Sequence, residues 1–154
     1  VESDPRLSGA TAPDKASVRA TIRAELLSAA EAVREVGSIR LSIHDAGLSA
    51  YDPTYGEFTI RALSPSSTFP FEAFTQKITV KLDNGSTAQM WKATPEEARV
   101  VRDKLGNYGG ATLDVELVVT GAVPGPRGGT LTARAVGYEL RAKGSGATLV
   151  RARL

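Results

Sequence analysis

Cysteine is absent from the 154 residues, so the chain builds no disulfide framework, thiolate nucleophile or Cys-ligated metal. Histidine occurs once, at His44, and the adjacent pair His44-Asp45 lacks the further imidazoles that a His-rich metal site needs. No apolar run approaches the roughly 18 residues of a membrane-crossing helix. Aromatic residues make up only 6% of the chain, and the net charge of +2 is too small to announce a partner. Nucleic-acid binders carry a denser basic footprint, so none is expected as a partner. The usual chemical signatures are missing too. There is no G-x-S-x-G elbow, no Gly-Lys-Ser/Thr phosphate loop, no G-x-G-x-x-G between a strand and a helix, and no D-x-D-x-D-G calcium spacing. No cofactor is expected.

What remains is an ordinary globular composition, 42% apolar and 23% charged. Its length suits a single domain, placed here over residues 13–154. Residues 1–12 are small, polar and rich in breakers, the composition of a flexible linker or tether. The chain begins at Val1 and not at Met. A polar tether there is what an exported bacterial protein leaves after processing, and a lipid anchor upstream of Val1 is one version of it. The expected location is therefore periplasmic or secreted. A domain cut from a longer chain leaves the same trace, and a cytoplasmic location is the alternative. The Ala, Arg and Gly bias suits a high-GC bacterial genome. Charge is uneven: residues 110–154 hold six Lys/Arg against three Asp/Glu, while the first 36 hold five against six.

Periodicity then orders the chain. Val18, Ile22, Leu26, Ala29, Val33 and Val36 form one apolar stripe of a long helix ending at Gly37. Residues 38–45 alternate as a half-buried strand, with Arg40, Ser42 and His44 outward, and residues 56–63 read as a second strand. Residues 76–82 alternate strictly, Asn84-Gly85 signals a tight hairpin turn, and residues 87–92 read as the returning strand. Thr94-Pro95-Glu96-Glu97 opens a short helix with a capping box, stopped by Gly106. Strands follow over 111–119, 130–142 and 147–154, with a bulge expected near Gly137 and a hairpin at 143–146. The order is α-β-β-β-β-α-β-β-β. The expected fold is α+β: a largely antiparallel sheet of about seven strands against a long N-terminal and a short central helix. A helix followed by strands occurs twice, without a residue-level repeat. This layout of tether, helix and antiparallel sheet is similar to that of small bacterial lipoprotein domains, a likeness of architecture that rests on no motif.

Two features bear on function. The segment 121–129 is a Pro/Gly connection that lacks the amides of a phosphate cradle, but Arg127 at its tip is placed to meet an anion. Six of the nine aromatics fall between 51 and 74: Tyr51, Tyr55, Phe58, Phe69, Phe71 and Phe74. Most sit in or beside loops, where aromatics either cap a core or present a recognition surface. Trp91, opposite in phase to Met90, is expected on the outer side of its strand beside them. The expected binding seam is Tyr51, Tyr55, Phe69, Phe71 and Trp91. These features point to a non-enzymatic binding or assembly module for a protein or small-ligand partner. The alternatives are a small hydrolase-like enzyme with His44 and Asp45 or Asp52 assembled in space, and a structural subunit of a larger assembly.

Overall fold

The computed structural model describes Arg6, Gly9 and residues 14–73, 76–126 and 128–154. Apart from Arg6 and Gly9, the expected tether lies outside the described residues, as do Phe74 and Arg127. Helix α1 (Lys15–Val36) leads into strand β1 (Ser38–Ile43), followed by β2 (Glu57–Thr59), a 3-10 turn (Arg61–Leu63), β3 (Thr68–Ala73) and β4 (Gln76–Leu82). Then come a one-turn helix α2 (Gly85–Ala88), β5 (Met90–Lys92), helix α3 (Pro95–Leu105), a second 3-10 turn (Gly106–Tyr108), and strands β6 (Ala111–Gly125), β7 (Gly128–Ala142) and β8 (Thr148–Arg153). The fold is α+β. Six strands form one sheet in the order β1-β6-β7-β4-β3 with β8 also on β7, and β2 pairs with β5 in a separate two-stranded sheet. Among the described residues, every strand pair is antiparallel except β4 with β7.

The large sheet is organised on β7. One edge of β7 runs along β6. The other edge is shared: β4 pairs with Gly128–Ala133 and β8 with Gly137–Arg141. The expected bulge is present, because Glu116 faces Gly137 while Leu117 faces Ala135, leaving Val136 as the extra residue. The Pro/Gly connection at 121–129 is mostly strand, since β6 and β7 pair out to Gly125 and Gly128.

One expectation is overturned. Residues 76–92 do not form a hairpin: β4 pairs with β3 and β7, and β5 pairs with β2. The hairpin ladder lies one strand earlier, closing at Ala73 opposite Gln76. Asn84 has φ −116 and precedes helix α2, not the left-handed turn its sequence suggests. Its carboxamide replaces a peptide group in the sheet: Nδ2 donates to Ala135 O at 2.8 Å, and Oδ1 accepts from Ala135 N at 2.9 Å. Asn84 thus bridges the gap between β4 and β8 along β7. Gly85 is needed for space. A Cβ there would lie 2.7 Å from the backbone nitrogen of Pro65, well inside contact distance. The second expected strand is also shorter than its alternation suggests, giving way to the 3-10 turn after Thr59.

The helix signals hold where their partners are local. Thr94 accepts from Glu97 N and Glu97 bonds Thr94 N, with Pro95 in the first turn, and Gly106 ends α3. On α1, the described side chains of the expected stripe are Val18, half-buried, and Ile22, buried. No helix among the described residues is long and apolar enough to cross a membrane.

The core lies on one face of the large sheet. Leu113, Val115 and Leu117 of β6, Ala133, Ala135 and Leu140 of β7, and Val80 of β4 are buried together with Ile60, Leu63, Trp91, Ala98 and Val101. The small sheet, the first 3-10 turn and α3 therefore share one core with the inner face. Alternation, reset at the β7 bulge, sends the intervening residues of β1, β6, β7 and β8 to the opposite, outer face.

Candidate functional site

The expected aromatic seam is divided by the fold. Tyr51, Phe58 and Trp91 form one stack: Phe58 lies 4.7 Å from Trp91 and 5.2 Å from Tyr51, centroid to centroid. The stack follows from pairing, because Phe58 on β2 faces Trp91 on β5. Trp91 is only 8% exposed, so it packs into the core and not onto an outer surface. The Tyr51 hydroxyl donates to Ala93 O at 2.8 Å, which locks that ring as well. Phe69 on β3 packs half-buried against the core. Tyr55 and Phe71 are exposed, at 68% and 38%. Among the described residues, no ring contact joins Tyr55, Phe69 or Phe71 to the stack.

Of the residues of the hydrolase-like alternative, the two aspartates serve turns. His44 is exposed just beyond β1. Asp45 accepts from Gly47 N at 2.9 Å and lies 3.8 Å from Lys143. The Gly47 amide, then Lys143, hold its carboxyl below the usual value. Asp52 accepts from the amides of Thr54 and Tyr55.

A different arrangement occupies the outer sheet face, where a hollow of about 730 Å³ opens over β1, β6, β7 and β8. Strand register sets its charges in rows. One row runs Arg40, Glu116, Gly137, Arg153, and the next runs Ser42, Asp114, Glu139, Arg151. A third begins at Thr112 and passes through Arg141 to Thr148. The carboxylates thus lie on the central strands β6 and β7, with Arg40 on β1 and Arg151 and Arg153 on β8 flanking them and Arg141 in the next row of β7. Asp114 directly faces Glu139, a like-charged pair that a sheet disfavours. The cost is offset by a clasp on Glu139, which accepts from Arg141 Nε at 2.7 Å, Arg151 Nε at 2.9 Å and Thr148 Oγ1 at 3.1 Å. Hydrogen bonds from Arg141 and Arg151 bring the Glu139 carboxyl down to about 2.

Gly137 gives the hollow its depth. With no side chain there, Arg153 lies across β7 and brings Nη1 to 3.7 Å from Glu116 Oε2. A Cβ at Gly137 would meet Arg153 Cδ at 3.6 Å and Ala152 O at 3.2 Å. Ser42 Oγ donates to Asp114 Oδ1 at 2.6 Å. Arg40 has no hydrogen-bond or ion-pair partner among the described residues. The three floor carboxylates are not a metal centre, since no group of three His, Asp or Glu among the described residues is placed to hold an ion.

The sequence signal for this face was the outward half of each alternation: Arg40 and Ser42, Asp114 and Glu116, Glu139 and Arg141, Arg151 and Arg153. It carried no information on which strands lie side by side. Arg127, the expected anion contact, lies outside the described residues. No protein-family model matches the chain, and neither the curated proteins nor the solved structures yield a match.

Proposed function

We propose that the protein is a non-enzymatic binding module whose ligand seat is the charged hollow on the outer sheet face. The observation that carries this reading is the hollow itself, about 730 Å³ lined by four arginines and three carboxylates on paired strands. Side chains mounted on strands hold their positions better than side chains on loops, as a preformed polar seat requires. Glu139 is held by Arg141, Arg151 and Thr148, so it serves to fix the wall of the seat. The breaker-rich composition of residues 1–12 supports a module held by a tether at a bacterial envelope, exported and lipid-anchored in one version.

The test is a 1H–15N NMR titration of the full chain with charged probes: acetate, ethylamine, inorganic phosphate and short peptides. At least one probe is expected to shift amides of residues 40–42, 114–116, 137–141 and 151–153 together. Shifts confined to Tyr55 and Phe71 would move the seat to the aromatic residues. No shift from any probe would remove the reading.

A further inference from the structure

We propose that the hollow seats a small zwitterion, an ammonium and a carboxylate on one short backbone, as in an amino acid or a short peptide. This rests on the hollow being the ligand seat. Five of its charged groups are already engaged: Glu139 with Arg141 and Arg151, and Arg153 more loosely with Glu116. Arg40 and Asp114 remain. Arg40 presents a guanidinium fork without a competing partner among the described residues, the geometry that takes a carboxylate through two parallel hydrogen bonds. Asp114 accepts one hydroxyl from Ser42, and a carboxylate has about four acceptor sites, so most of its capacity faces the hollow.

Their placement fits one ligand that carries both charges. Arg40 is paired with Glu116, and Asp114 with Ser42, so Arg40 and Asp114 are diagonal neighbours on adjacent strands and share a face. Such diagonal positions lie about 7–8 Å apart, a span that two converging side chains close onto a short ligand. A simple anion on Arg40 would sit beside Glu116 and Asp114, within a Debye length of both, and be repelled. A simple cation on Asp114 would meet Arg40 on one side and Arg141 on the other. A zwitterion with its carboxylate on Arg40 and its ammonium on Asp114 satisfies both groups and adds no net charge.

The test compares triglycine with N-acetyltriglycine, which keeps only the carboxylate, and triglycinamide, which keeps only the ammonium. Each is titrated into the 15N-labelled full chain. Triglycine is expected to bind at least about tenfold more tightly than either, the effect of one charge-assisted hydrogen bond. Its advantage should fade above about pH 8, where the peptide amine loses its proton. Arg40→Gln should weaken triglycine about tenfold without weakening triglycinamide, and Asp114→Asn should weaken triglycine equally without weakening N-acetyltriglycine. Retained amide dispersion will show that both variants fold. Equal binding of either singly charged peptide overturns the proposal, as does a failure of both triglycine and glycine to bind up to their solubility limits. If acetate, ethylamine or phosphate still maps to the hollow, the seat stands and only the zwitterion falls.

Discussion

Asn84 closes the sheet with a side chain where a strand would otherwise be needed. Asp83 N donates to Ala133 O, the Asn84 carboxamide pairs with both polar groups of Ala135, and Leu154 N donates to Val136 O. The edge of β7 is thereby satisfied through the gap between β4 and β8. Asn84→Ala leaves the Ala135 amide and carbonyl without these partners, and should cost about 1–3 kcal/mol in urea denaturation. Asn84→Asp keeps the acceptor but not the donor, and should fall between the two. A variant as stable as the parent would mean that water replaces the carboxamide fully. The Asn84-Gly85 pair was conspicuous in the sequence, but its use was not legible there. Ala135 is 51 residues away, and the backbone that excludes a Cβ at Gly85 belongs to Pro65. Thr94 is the contrast. Every atom of its capping box lies within four residues, so local sequence was enough.

Between elements, Glu139 ties β8 to β7, because two of its three side-chain partners, Thr148 and Arg151, belong to β8. Its carboxyl is depressed to about 2, below the ordinary glutamate value near 4.3, so the folded state favours the charged form. The stabilisation is complete above the unfolded value and disappears as pH falls through about 2. Denaturation midpoints of the parent chain and Glu139→Gln should therefore differ at pH 7 and converge as pH approaches 2. A constant gap across that range would assign the effect to packing. Alternation placed β6 and β7 as strands and marked a bulge near Gly137, where the pairing does shift. It did not supply the strand order that brings Asp114 against Glu139. The same gap hid the fate of Trp91: its phase on β5 was readable, but the β2 partner that stacks Phe58 on it was not.

Across the whole molecule, stability is distributed unevenly, and the hollow lies on the firm part. β7 is bonded along both edges, and its inward residues Ala133, Ala135 and Leu140 are essentially inaccessible to water. Exchanging its amides requires the large sheet to open. Helix α1 is attached differently. It meets the sheet chiefly at β6, its Leu27 is 67% exposed, and Ile22 stands apart from the main core cluster. Its Arg19–Arg23 spacing places like charges one turn apart, which weakens the helix on its own. Native-state hydrogen exchange should thus show β7 amides opening near the global unfolding free energy and α1 amides opening at least about 2 kcal/mol below it. Equal protection would show that α1 unfolds only with the sheet. The expected difference bears on binding as well. Two of the four strands that line the hollow, β6 and β7, make the longest ladder in the sheet, so a ligand would find its floor preformed. Added ligand should then leave the β7 floor in place, with its largest amide shifts on the edge strand β1 around Arg40 and at Asp114 on β6.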